Sequence, residues 1–230
     1  MGADGPSRIA ERTPVIGHFL TRALNHAAIY LILQRATGAD RLRRLCVEVL
    51  RPRAGERFLD IGCGPAYLLD YLPDVTYVGF DTEPRYIAYA RRHYGARATF
   101  YCEAFTEAHA SGLPPFDAVL LMGILHHLSD GEAGALLGRI GRVLRRGGRV
   151  ISLDPCFDRD SSRIAHVVAA LDRGRFVRDE RGYENLVRPY FAEVDSRVVH
   201  NVGRLPSTEI VMHITEPAAR LGSAGGRRGQ

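Results

Sequence analysis

The stretch Phe58-Leu59-Asp60-Ile61-Gly62-Cys63-Gly64-Pro65-Ala66 decides the fold. Residues of strand character end in an acid and a two-glycine turn, and the apolar run that follows, Ala66–Leu72, reads as a helix. Gly62 and Gly64 let the backbone turn sharply and approach a ligand with no Cβ in the way. The start of a helix behind such a turn offers unsatisfied N–H groups. Twenty-one residues after Asp60, at the end of the next strand, stands Asp81. An acid placed there can accept hydrogen bonds from both hydroxyls of a ribose.

Outward from this turn, short apolar strands alternate with helical stretches. The strands are Arg57–Ile61, Thr76–Phe80, Thr99–Cys102, Ala118–Met122 and Arg149–Leu153. Between them the pattern predicts helices near Ala66–Leu72, Pro84–Tyr94 and Asp130–Leu144, with a shorter turn after Ala104. Strands that do not alternate apolar with polar imply a parallel sheet covered on both faces, hence an α/β doubly wound fold. Ligands in such folds bind at the C-terminal ends of the strands. Before this core, helices are expected on Ile16–Ala27 and Ile29–Leu33, then a third with Leu42, Leu45, Cys46 and Val49 on one face and Arg41, Arg43 and Arg44 largely off it. After it come an amphipathic stretch on Ile164, Val167 and Leu171, a helix at Gly182–Tyr190, and two strands, Val194–Val199 and Glu209–Ile214. The division expected is 1–55 as N-terminal helices forming a lid, 56–155 as the binding core, 156–216 as substrate wall and C-terminal hairpin, and 217–230 as a disordered tail.

The 230 residues suit one large domain with appendages, at roughly 150 residues per domain. No apolar run approaches the roughly 20 residues that span a bilayer, and no signal sequence opens the chain, so a cytoplasmic protein with no membrane partner is expected. All 31 basic residues are Arg, which excludes lysine Schiff-base chemistry and the P-loop, whose cradle needs a Lys. Cys46, Cys63, Cys102 and Cys156 make no metal-like spacing, so no metal is expected.

A glycine turn alone does not choose a cofactor, but its departures from the dinucleotide pattern do. That fingerprint wants a third glycine where this chain has Tyr67, a side chain that would crowd a pyrophosphate. Asp60 brings a negative charge suited to a cationic amino acid moiety and unsuited to a phosphate.

The block resembles motif I of the class I S-adenosylmethionine (SAM)-dependent methyltransferases, and further motifs follow in order. Tyr77-Val78-Gly79-Phe80-Asp81 looks like the ribose-binding strand end of that family. Cys102-Glu103-Ala104-Phe105 looks like its third strand end, and Phe116–Gly123 and Val143–Val150 resemble its fourth strand and the leader into its fifth. The resemblance covers about residues 56–155. It implies a seven-stranded sheet, mostly parallel with the last strand antiparallel, and SAM as cofactor. It also implies a cofactor site made of Asp60, Gly62, Cys63, Gly64, Asp81, Thr82, Glu103, Ala104, Met122 and Gly123, with Glu103 at the adenine amino group and Cys63 contributing its backbone only. The activity implied is methyl transfer to a small-molecule acceptor at O, N or C. A SAM-binding enzyme of the same fold catalysing a cyclisation stays open, because fold does not dictate reaction.

His126, in Ile124-Leu125-His126-His127-Leu128, directly follows the fourth strand, where the family builds the floor between methyl group and substrate. An imidazole there can accept a proton from an attacking hydroxyl, which makes His126 the candidate catalytic residue and turns His127 away. Asp154, at the end of strand five, is a candidate substrate contact. Arg173, Arg175, Arg178 and Arg181 form either a substrate wall or, as favoured here, a solvated face. Tyr30 and Gln34 are candidates to touch the cofactor from the lid. A nucleic-acid partner is not expected, since Met122-Gly123-Ile124-Leu125 replaces the Asn/Asp-Pro-Pro-Tyr run of enzymes acting on bases.

Overall fold

A computed structural model describes residues 39–161, 175–204 and 206–218. The expected N-terminal helices up to Leu33, Tyr30, Gln34, the stretch on Ile164–Leu171, Arg173 and the tail from Arg220 lie outside the described residues. Helix α1 (Ala39–Leu50) leads into strand β1 (Arg57–Ile61). There follow β2 (Thr76–Phe80), α2 (Pro84–Tyr94), β3 (Ala98–Tyr101), α3 (Glu107–Gly112), β4 (Phe116–Met122), α4 (Asp130–Val143) and β5 (Leu144–Phe157). The described chain ends with β6 (Arg178–Asp179), α5 (Glu180–Val187), β7 (Phe191–His200) and β8 (Thr208–Pro217).

Seven strands lie side by side in the order β3-β2-β1-β4-β5-β8-β7, and β6 pairs only with the end of β5. β1 through β5 are mutually parallel, while β8 runs antiparallel to both its neighbours. Side chains alternate between two cores, as a strand buried on both sides requires. Leu59, Ile61, Val119 and Leu121 face α4 and α5, whereas Phe58, Ala118, Leu120 and Leu153 face α1 and α2.

Helix starts are set by local chemistry. Pro84 occupies the first turn of α2, and Ser129 and Glu132 bond reciprocally at the start of α4, satisfying donors that would otherwise be orphaned. The expected helix over Ala66–Leu72 is corrected: only a 3₁₀ turn forms, Tyr67–Tyr71. Ala66 enters it in the left-handed region at φ 60°, and Leu72 is extended, as a residue before proline prefers, so too few residues remain for α turns. Arg43 corrects the reading of α1. The buried face runs along Arg43, Cys46 and Leu50, about a third of a turn from the expected stripe.

Candidate active site

Two cavities open at the C-terminal ends of the parallel strands and meet at Gly62. The first, about 350 Å³, lies on the face that α1 covers. Asp60 and Gly64 from the β1 turn, Met122 and Gly123 from β4, and Leu153 from β5 form its floor. Leu42 and Arg43 of α1 roof it, and His126 and His127 close one end. The second, about 440 Å³, lies on the other side of the turn. Asp81, Thr82, Glu103 and Ala104 line it from β2 and β3, with Ile124, Leu128 and Leu136 opposite.

Asp60 is 2% exposed and accepts a hydrogen bond from the Tyr77 hydroxyl, two strands' side chains sharing one sheet face. Its second oxygen, Oδ1, is buried with no hydrogen-bond partner. Burial pushes the Asp60 carboxyl up to about 7; the Tyr77 hydroxyl opposes that rise and the Asp81 charge adds to it. Asp81 accepts the backbone N–H groups of Gly64 and Glu83, each at 2.8 Å, and burial raises its carboxyl above the usual range. Glu103 is exposed, with Oε1 3.6 Å from His109 Nε2.

The glycine turn presents a path rather than donors. Gly62 and Cys63 both give their N–H to the Phe80 carbonyl, and Gly64 gives its own to Asp81. With Pro65 next, no N–H from 62–65 is left for a phosphate, which fits the absence of the dinucleotide pattern. The expected backbone contribution of Cys63 is corrected accordingly: its N–H is committed, and it lines the first cavity instead. Burial pushes its thiol up, with Asp60 and Asp81 adding to the rise, which disfavours the thiolate a nucleophile would need.

His126 lies in a 3₁₀ turn, Leu125–His127, directly after β4, and is 3% exposed. Its Nδ1 is 2.8 Å from Asp154 Oδ1, and its backbone N–H reaches the same oxygen at 3.2 Å. Ser152, two residues before Asp154 on the same strand face, donates to Asp154 Oδ2 at 2.7 Å. Asp154 is therefore not a substrate contact but a fully buried support for the imidazole. His127, expected to turn away, lines the same cavity, its ring centroid 4.0 Å from that of His126, because a 3₁₀ turn spreads successive side chains by less than a strand does.

Arg178 is neither wall nor solvated face. Its guanidinium bonds the carbonyls of Leu125 and Leu128 at 3.0 and 2.9 Å and the Asp130 carboxylate at 2.6 Å, bracketing the histidine turn. The N–H of Phe176 donates to the His126 carbonyl at 2.9 Å, a second tie from the same segment. Arg175 and Arg181 are exposed. Sequence reasoning missed Arg43, whose charge is held by Asp40 at 2.9 Å and whose guanidinium lies over the Tyr67 ring. The i,i+3 spacing of Asp40 and Arg43 was the available signal. It also missed Glu209, a buried acid in the first cavity, which no motif marks.

Residues 58–148 match a family described as a methyltransferase domain. A ubiquinone biosynthesis O-methyltransferase of Brucella melitensis is 29% identical over 163 residues, which is 66% of this chain and 64% of that one. The chain thus spans a little under two thirds of the length of this curated relative. Among solved structures, the pyocyanin biosynthetic protein PhzM aligns with a TM-score of 0.65 at 20% identity, over 86% of this chain and 61% of that one. The [4+2]-cyclase SpnF aligns with a TM-score of 0.58 at 20% identity, over 77% and 81%. At such identities the likeness is one of fold. This chain has the class I SAM-dependent methyltransferase fold.

Proposed function

We propose that this chain is a SAM-dependent methyltransferase acting on a hydroxyl of a small-molecule acceptor. The observation that carries the reading is the His126–Asp154 pair, set at the end of a cavity that also holds Asp60 and the glycine turn. The residues fit the cofactor. Asp60 Oδ1, buried and without a partner, suits its ammonium group. Asp81 retains lone pairs for the ribose hydroxyls after bonding Gly64 and Glu83. The apolar second cavity between Phe105 and Leu136 takes the adenine, with Glu103 and Thr82 at its edge. When bound, SAM supplies a methyl group on a sulfonium, already activated for transfer.

The chain's own residues then have two tasks. The walls Met122, Leu153 and Leu42 exclude water and align the acceptor with the cofactor. His126 donates Nδ1–H to Asp154, which leaves the basic lone pair on Nε2 to take the proton of the acceptor hydroxyl. Asp154, carrying hydrogen bonds from His126 and Ser152, holds the ring in that tautomer and stabilises the imidazolium that forms. Supplying methyl-labelled SAM with a set of phenols and catechols tests the reading. Label should appear in an ether product, and His126→Ala should slow transfer by about 10²–10⁴-fold while leaving SAM affinity nearly unchanged. Equal rates for wild type and variant would refute His126 as the base, and label that never leaves SAM would refute the transfer.

A further inference from the structure

Glu209 is a buried acid in the first cavity that neither the cofactor nor the proton transfer uses. It is the second residue of β8, paired across the antiparallel ladder with Pro155, so it stands at the strand ends beside the histidine turn. It shares a sheet face with Val211 and thus with Leu153, the face toward α1. The side chain lines the cavity, is 7% exposed, and its Oε2 is buried with no hydrogen-bond partner.

The polar groups around it are already engaged. His200 Nε2 is 3.1 Å from Asp158 Oδ2, and its Nδ1 is 3.2 Å from Thr208 Oγ1. The Thr208 hydroxyl is in turn 2.7 Å from that of Ser161. Across the cavity, Arg43 is paired with Asp40. Among the described residues no Arg or His forms an ion pair with Glu209. Burial raises its carboxyl above the ordinary range, with Ser207 and His200 opposing only in part. A buried carboxylate oxygen left this way is costly, and a cation entering the cavity is what offsets it best. Asp60, at the end of β1, is the acid placed for the cofactor's own ammonium, so Glu209 remains for the other reactant.

We propose that Glu209 is the acceptor-recognition residue, and that the acceptor carries a protonated amino group, separate from the methylated hydroxyl, that pairs with Glu209 Oε2. The proposal rests on the methyltransferase reading and names the substrate class of the same site. The apolar walls Leu42, Leu153 and Pro155, beside Glu209, suit a ring bearing a short aminoalkyl arm.

Calorimetry on the protein saturated with S-adenosylhomocysteine tests this without requiring turnover. The probes are tyramine, 4-ethylphenol and 3-(4-hydroxyphenyl)propionate, which share a phenol and differ in carrying an ammonium, no charge or a carboxylate. Tyramine should bind at least about tenfold more tightly than 4-ethylphenol, and the propionate more weakly than both. Glu209→Gln should abolish the preference while holding S-adenosylhomocysteine affinity within about twofold; Glu209→Leu, which leaves no polar atom to bury, serves where the amide variant does not fold. A preference that survives both variants, equal binding of the three probes, or no binding of tyramine at about 10 mM would each overturn the proposal. So would variants that weaken SAM but not S-adenosylhomocysteine, because Glu209 would then face the sulfonium. Failure of S-adenosylhomocysteine to bind wild type would overturn the cofactor reading itself, and the proposal with it.

Discussion

SAM binding should release a proton from Asp60 at mildly acidic pH. Burial holds this carboxyl at about 7 in the ligand-free protein, against an ordinary value of 3.8. An ammonium on Oδ1 favours the ionised form, so the pKa must fall when the cofactor binds, and the ligand competes with the proton. Affinity is therefore full only well above pH 7 and declines as the pH drops, approaching tenfold per unit. Between pH 7.5 and 5.5 the loss works out at about 25-fold, or about 2 kcal/mol. Asp81, also raised by burial, titrates in the same sense, so Asp60→Asn isolates the first contribution. The variant should bind weakly at every pH and lose most of the slope. Calorimetry in buffers of different ionisation enthalpy counts the proton directly: about 0.8 should be released at pH 6.5 and almost none at pH 8.5. The same shift acts on stability with a defined sign. A carboxyl raised in the folded state contributes stability that is present below 3.8 and is lost as the pH rises through about 7. Asp60→Asn should accordingly raise the melting temperature of the ligand-free protein at pH 8 and not at pH 4. An affinity flat from pH 5.5 to 7.5, or wild-type affinity in Asp60→Asn, would refute the reasoning.

Asp81→Ala removes the acceptor of Gly64 and Glu83 as well as of the ribose; with charge-assisted hydrogen bonds at about 1.5–3 kcal/mol each, SAM affinity measured by calorimetry should fall at least about tenfold. Gly62→Ala should be more damaging than Gly64→Ala in thermal melts: both carry the left-handed backbone cost of about 1–2 kcal/mol, but at Gly62 the Ile124 side chain, 2.0 Å from a Cβ, must also move aside, whereas at Gly64 nothing lies within 4 Å. Arg178→Ala should lower kcat roughly 10- to 100-fold by loosening the turn that carries His126, with little change in SAM affinity and partial recovery in Arg178→Lys. Equal kcat in wild type and Arg178→Ala would show that the turn holds its shape without the guanidinium.

The sheet was legible because the central parallel strands are buried on both faces, as β4 shows with Ala118–Leu121, and so carry apolar residues without a polar alternation before a turn signal. The β1 glycine turn and Asp81 were legible for a different reason: backbone geometry and carboxylate chemistry restrict those positions to few residue types. What local pattern could not show was set by contacts between segments distant in the chain. Asp154 reads as an exposed strand end until the ladder with β8 buries it 28 residues away from the histidine it supports. Arg178 sits among other arginines, and nothing local separates the one that clamps Leu125 and Leu128 from those that face solvent. After β1, apolar spacing registers the buried Leu68 and Leu69 but not the left-handed entry at Ala66, so the expected helix shortens to a 3₁₀ turn. Glu209 had no signal at all, since an acid at a strand start becomes notable only when the opposite wall of the cavity is in place.

A crystal structure of the protein with S-adenosylhomocysteine tests the central claim most directly, because the claim requires one ligand to occupy both cavities through Gly62. The amino group should lie on Asp60 Oδ1, the ribose hydroxyls on Asp81, and the adenine between Phe105 and Leu136, with the sulfur toward the cavity that His126 closes. A nucleoside seated in the first cavity, or a ligand that leaves Asp60 and Asp81 untouched, would contradict it.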